Sequence, residues 1–285
     1  MSLSLDWLAA QTGISLAELE EITEALRGPS PQIILAGPPG TGKTWLARQL
    51  ARYVTGDRRS RSKFVQFHPS YSYESFVEGL RPISRDGGVS FELVPGVVVD
   101  CVREMEKKKI AGVVGEDFVV VIDEVNRANL PRVLGELMFL FEYRDEPVRL
   151  QYSGDFALPS NLRFVATMNT ADRSIRSIDA ALRRRFDVFE LGPDRRILDG
   201  WYRAGCVCEV GNLAEGFVEL NRQLELNLDR HHTIGHTFFM RDRMDARELR
   251  RIWTRRVFPL IEEFFFDQPE QVKDFTVERF WPGVV

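Results

Sequence analysis

Gly37-Pro38-Pro39-Gly40-Thr41-Gly42-Lys43-Thr44 fits the pattern G-x-x-x-x-G-K-[ST]. Just before it, Ile33-Ile34-Leu35-Ala36 is an apolar run of strand length, and residues 43–54 after it carry a helical pattern. Strand, glycine loop and helix in that order make the pattern a phosphate-binding loop. Its glycines let successive backbone N–H groups turn inward on phosphate oxygens. The following helix adds the partial positive charge of its N-terminus. On this reading Gly37, Pro38, Pro39, Gly40, Thr41, Gly42, Lys43 and Thr44 hold a nucleotide. Lys43 reaches the β- and γ-phosphates and Thr44 ligates Mg²⁺.

Further along, Phe118-Val119-Val120-Val121-Ile122 is a second apolar strand, and it ends in Asp123-Glu124. An acid at that strand end suits Mg²⁺, which assigns Asp123 to the metal with Thr44. Glu124, one residue on, is placed to polarise an attacking water as general base. Asn169 follows a further predicted strand, Leu162 to Met168. Ligands of parallel sheets bind beyond the carboxyl ends of the strands. Asn169 is therefore a candidate for orienting the water, with Asp172 and Arg173 beside it. Leu182-Arg183-Arg184-Arg185-Phe186 places three arginines at the end of a predicted helix. Cations suit helix C-termini. An arginine pointing away from its own loop can also neutralise transition-state charge on a neighbouring copy.

The intervening pattern supports one architecture. Predicted strands at Ile33–Ala36, Phe64–Phe67, Phe118–Ile122, Leu162–Met168 and Val188–Leu191 alternate with predicted helices at 97–109, 131–143 and 178–185. Apolar strands alternating with helices predict a five-stranded parallel sheet covered on both faces, an α/β fold. After Gly192-Pro193 the strand pattern stops, and helices are predicted at 195–204, 213–226 and 245–266. The expected division is an N-terminal helical extension over 1–30, an αβ core over 31–192 and a helical lid over 193–285.

Composition limits the rest. The 285 residues carry 38 basic and 42 acidic side chains, a formal net charge of −4, which excludes a chain built mainly as a basic nucleic-acid coat. No run approaches the ~20 apolar residues of a membrane span. Met1 to Asp6 lacks the basic start of a signal peptide. Three cysteines are no disulfide framework, so a reducing cytoplasm is expected. Cys206 and Cys208 form a C-x-C pair without the further ligands of a zinc site. Residues 4–27 read as two helices broken at Gly13, the second opened by a Ser15/Glu18 capping box. Their rhythm suggests a helix-turn-helix, but four of the eight residues Ala17–Glu24 are glutamates and would face phosphates badly. A helical hairpin packed beside the core is the better reading.

Taken in order, the P-loop, Asp-Glu, Asn and Arg-Arg-Phe resemble an AAA+ ATPase. Three segments resemble its McrB branch more closely: Phe64 to Pro82, Ile122-Asp123-Glu124-Val125-Asn126-Arg127-Ala128-Asn129, and Met168-Asn169-Thr170-Ala171-Asp172-Arg173-Ser174. Ile234-Gly235-His236-Thr237-Phe238-Phe239 resembles a further family segment in the lid. The resemblance implies that Asn169 is the sensor 1 residue and that His236 contributes to nucleotide binding. It implies that Arg185, next to Phe186, takes the arginine-finger position with Arg184 beside it. Asp172 and Arg173 would lie on the surface through which a partner stimulates turnover. The implied assembly is a hexameric ring, and the implied partner an McrC-like nuclease subunit, with DNA reached indirectly or through the ring. The implied cofactors are Mg²⁺ and either GTP, which McrB-type motors take, or ATP, which most AAA+ relatives take. About 30 residues precede the first core strand, too few for the DNA-recognition domain of larger members. That function is expected on a longer form of the chain or on another chain. Two alternatives keep the fold: a MoxR-like remodelling chaperone, and a nucleotide-gated assembly switch with little intrinsic hydrolysis.

Overall fold

A computed structural model describes residues 3–85, 88–112, 115–171 and 180–284. Two helices come first, α1 (Leu5–Thr12) and α2 (Leu16–Arg27). Gly13 in the left-handed region ends the first, and the reciprocal Ser15/Glu18 capping box opens the second. Leu8, Leu19, Ile22 and Leu26 bury into one apolar cluster with Ile33 and Leu35 of the first strand and Leu46 and Leu50 of the next helix. The hairpin therefore packs against one face of the core, as the buried stripe at helical spacing predicts.

The strands run β1 (Gln32–Gly37), β2 (Ser62–Gln66), β3 (Glu78–Arg85), β4 (Gly88–Pro95), β5 (Phe118–Asp123), β6 (Val148–Arg149), β7 (Asp155–Phe156), β8 (Leu162–Asn169) and β9 (Asp187–Glu190). Five of them form a parallel sheet in the order β2-β5-β8-β1-β9. β1 and β5 are buried along their whole length, which matches their continuous apolar sequence. The register sets Gly37 of β1 opposite Asn169 of β8, and Gln66 of β2 opposite Asp123 of β5. The carboxyl ends of the central strands thus lie in one row. β8 lies between β1 and β5, so it forms the ladder hydrogen bonds that join the P-loop strand to the Asp123 strand.

Several elements differ from the sequence-based expectation. β3 and β4 form an antiparallel hairpin that the helix-strand alternation does not predict. A second small hairpin pairs β6 with β7. The single helix expected over 131–143 is two short ones, Leu130–Leu134 and Leu137–Leu140. Gly135 breaks it at φ +48, and a Cβ there would meet the Tyr73 ring at 2.7 Å. The helix expected over 178–185 is described from Ala180 to Arg183. The last long helix is interrupted by a π-turn at Trp253–Val257, just ahead of Pro259, whose missing N–H breaks the ordinary ladder.

After β9 the chain is mostly helical, with Arg195–Arg203, Leu213–Asn227 and Ala246–Phe264 with its π-turn. The strand pattern does not stop altogether, however: Val207–Cys208 pairs in parallel with Arg243–Met244. The helices enclose their own apolar cluster around Phe217, Phe239, Trp253 and Trp281. Among the described residues no helix is long and apolar enough to cross a membrane.

Candidate nucleotide site

The helix α3 (Lys43–Thr55) starts directly on the glycine loop. Its N-cap, Gly42, sits at φ +82, a conformation that a side chain would strain. No capping side chain covers the helix start, so the N–H groups of its first turn face outward for an anion. Lys43 Nζ donates to Pro38 O at 2.7 Å and to Thr41 Oγ1 at 3.4 Å. Burial pulls the Lys43 ammonium down to about 8, opposed by the nearby Glu124 and Asp123 carboxylates. A cation already removed from water gains strongly from phosphate charge beside it.

Asp123 closes the site from the next-but-one strand. Its Oδ1 accepts the Thr44 hydroxyl at 2.7 Å and the Thr167 hydroxyl at 2.6 Å. Thr167 lies on β8, between the two strands, and its oxygen also accepts the backbone N–H of Glu124 at 3.1 Å. One hydroxyl therefore fixes both acids. Glu124 takes φ 54, ψ 46, a left-handed backbone in a residue with a side chain. Such strain costs on the order of 1–3 kcal/mol and persists where the surroundings impose it, commonly at active sites. It turns the Glu124 side chain off the strand direction, where Arg127 Nε meets Oε2 at 3.2 Å. Hard divalent cations take oxygen ligands. The Thr44 hydroxyl and the Asp123 carboxylate are two such oxygens already side by side.

Asn169 ends β8 opposite Gly37. Asn126 Nδ2 donates to its backbone oxygen at 3.1 Å. The Asn169 side-chain oxygen is buried and has no hydrogen-bond partner, and the Thr170 hydroxyl shares that condition. Buried polar atoms are nearly always paired, so two orphans at the mouth of the loop fit a ligand or water held there. The nucleotide and Mg²⁺ fit these residues.

Comparison with known proteins gives the same family. The sequence profile of the AAA domain, dynein-related subfamily, matches residues 32–186, more than half of the chain. The profile of the McrB alpha-helical lid domain matches residues 212–273. The chain belongs to the AAA family, in its McrB branch. Over 268 residues it is 37% identical to the Type IV methyl-directed restriction enzyme EcoKMcrB subunit of Escherichia coli K12, covering 86% of this chain and 56% of that protein. Over 211 residues it is 28% identical to the Type II restriction enzyme BsuMI component YdiS of Bacillus subtilis 168, covering 59% of this chain and 60% of that protein. The chain thus spans between half and two thirds of the length of each.

The McrB-type lid sits directly on the P-loop. Gly235 N donates to Pro39 O at 2.9 Å, and Thr237 N donates to Gly40 O at 3.0 Å. The approach needs a glycine: a Cβ on Gly235 would lie 1.9 Å from the Gly40 carbonyl carbon. His236 is buried between them, and its Nδ1 accepts the Asp194 N–H at 3.2 Å. Burial lowers the His236 imidazole to about 4, against the pull of Asp194. The ring is therefore neutral near pH 7, with its proton on Nε2, the nitrogen nearest Gly42. Beside it a cavity of about 650 Å³ is lined by Gln11, Ile14, Trp45, Ile197, Trp201 and Met240. N-terminal hairpin, P-loop helix and lid all contribute walls, which suits a flat apolar ring.

The two arginines part company. The Arg184 side chain is 64% exposed, whereas that of Arg185 is 10% exposed and meets Glu142 Oε2 at 2.8 Å. Arg184 lies 3.8 Å from the same oxygen. Both sit past the end of Ala180–Arg183, ahead of β9 and away from the row of carboxyl ends. The exposed member, Arg184, is the one presented outward; Arg185 is held against its own chain. Asp172 and Arg173 lie outside the described residues. Of the lid arginines, Arg241 bonds the carbonyls of Thr237 and Met240, and Arg243 pairs with Glu209. Sequence reading overlooked Thr167, although it stands two residues before Asn169 and so shares its face of the strand. It also gave Asn126 no role of its own.

Proposed function

We propose that the chain hydrolyses the terminal phosphoanhydride bond of GTP or ATP with Mg²⁺. It does so in a ring of like subunits, hexameric by family resemblance, that drives an McrC-like nuclease in restriction of modified or foreign DNA. The observation that carries the hydrolysis is the convergence at the strand ends. Thr44, Asp123 and Thr167 share one oxygen, Glu124 is turned off its strand, and the Asn169 side-chain oxygen waits unpaired. Family membership and two restriction-enzyme relatives support the cellular role.

The roles follow from position. Backbone N–H groups of Gly40 to Thr44 and the Lys43 ammonium receive the phosphates. Thr44 and Asp123 would hold Mg²⁺, which when bound neutralises phosphate charge. Glu124 Oε takes the proton of the attacking water, and Asn169 Oδ1 orients that water. His236 closes the loop from the lid. Arg184, with Arg185 behind it, acts on the site of the adjoining subunit. By family resemblance Asp172 and Arg173 serve the stimulation of turnover by the partner. The working units are the extension over 1–30, the αβ core over 31–192 and the lid over 193–285, in a cytoplasmic protein.

Phosphate release with GTP and ATP in parallel tests the reading. Glu124→Gln should lower turnover by about 10²-fold to 10⁴-fold while nucleotide still binds. Unchanged turnover in Glu124→Gln would remove the assigned mechanism.

A further inference from the structure

At the opposite end of the P-loop strand from Gly37 stands Gln32, fully buried in a position without ionisable neighbours on its own strand. A glutamine at the start of an otherwise apolar buried strand needs partners for two donors and an acceptor. All are found. Its Nε2 donates to Phe141 O at 2.8 Å and to Arg185 O at 2.8 Å. Its Oε1 accepts Arg144 Nη2 at 2.6 Å.

The two carbonyls are not arbitrary. Arg185 pairs with Glu142 through its side chain, and Phe141 immediately precedes Glu142. One amide group therefore grips the backbone at both ends of the ion pair that flanks Arg184. Around it, Phe141 packs edge-to-face on Phe164 and on Phe186, each at 5.0 Å between ring centres. Arg144 is itself buried, with its guanidinium pulled down to about 10 by burial first and then by Arg163, and it donates to Pro159 O and Leu162 O. Gln32, Arg144 and the three phenylalanines form a rigid seat at the base of β1 and β8.

We propose that Gln32 is a positioning residue for the arginine segment, and that β1 joins the P-loop of one subunit to the arginine it lends to the next. The proposal rests on the arginine reading given above. Gln32 touches no nucleotide group. It fixes where Leu182–Phe186 leaves the core, and so where Arg184 stands. A misplacement of 1 Å in a reacting assembly can cost about 10²-fold in rate.

The test uses full-length variants in mixed assemblies. Gln32→Leu removes both donors and the acceptor with little change of volume. It should lower turnover by about 10-fold to 10²-fold and leave affinity for a non-hydrolysable triphosphate unchanged. Mixing it with Glu124→Gln should restore turnover, because the Glu124→Gln subunit brings a well-seated arginine to an intact base. Mixing it with the Arg184→Ala/Arg185→Ala double variant should restore nothing, since neither subunit then lends a well-seated arginine. Gln32→Glu is the second variant. It keeps an acceptor for Arg144 but cannot donate to both carbonyls, so it should behave like Gln32→Leu. If Gln32 served only to satisfy Arg144, Gln32→Glu would keep full turnover. That result overturns the proposal, as does unchanged turnover in Gln32→Leu or failure of Glu124→Gln to rescue it. Should Glu124→Gln fail to rescue the double arginine variant as well, the arginine reading itself falls.

Discussion

The two ends of β1 are built differently. At its carboxyl end, side chains from α3, β5 and β8 converge within one chain: Thr44 and Thr167 on Asp123, Lys43 on Pro38, Asn169 opposite Gly37. At its amino end, Gln32 seats a segment in which the Arg184 side chain is 64% exposed. One end gathers the Lys43 ammonium, the two acids and Asn169 around one loop. The other end presents the Arg184 guanidinium on the side of the sheet away from that loop. In the proposed ring the two halves would meet across a subunit boundary.

The comparison can be broken most sharply at Arg184. Arg184→Ala should reduce turnover by about 10³-fold or more, with nucleotide affinity nearly unchanged. Arg185→Ala should also lower turnover, and it should lower thermal stability as well, because it strips Glu142 of its closest cation. Steady-state phosphate release and a melting curve for each variant separate the two. A next, smaller effect belongs to Thr167→Val, which removes the hydroxyl shared by Asp123 and the Glu124 N–H. Turnover should fall by about 10-fold to 10²-fold, and stability by about 1–3 kcal/mol for the buried group left unpaired.

Two pH effects sharpen the picture of the finished end. Free Lys43 loses its proton near pH 8 because burial depresses it, and phosphate beside it would raise that value. Nucleotide affinity should therefore be full below about 8 and weaken as pH rises, by up to about tenfold per unit, from the single proton taken up on binding. Lys43→Met should bind weakly at every pH, without that slope. The smallest effect is on lid docking. His236 is depressed from 6.5 to about 4, so the unfolded chain takes the proton first. Its contribution is complete above about 6.5 and is lost as pH falls towards about 4. His236→Gln should flatten that part of the melting temperature against pH.

Much of this was legible in the residues. The P-loop announces itself because backbone conformation, not a distant contact, selects its glycines, and Asp123-Glu124 because an apolar strand rarely ends in two acids. The sheet was readable since buried parallel strands carry continuous apolar runs. What stayed hidden depends on packing at a distance. Gly135 reads as a tolerable helix glycine until the Tyr73 ring is seen against it. The β3–β4 hairpin exposes Leu80, Val89 and Phe91, so no alternation of buried and solvated faces marks it. The resemblance favours Arg185 by its place next to Phe186, whereas the pairing of Arg185 with Glu142 leaves Arg184 as the exposed one. Gln32 looks like a mere strand end, for its three partners lie 109 to 153 residues away.

The central claim is that one copy's acids and the next copy's arginine complete a single site. It is tested most directly by mixing Glu124→Gln with the Arg184→Ala/Arg185→Ala double variant, each nearly inactive alone, and measuring phosphate release. Turnover that appears on mixing, with Glu124 from one subunit and Arg184 from the other, is the predicted result. A mixture no more active than its parts, under conditions where the subunits demonstrably co-assemble, would contradict it.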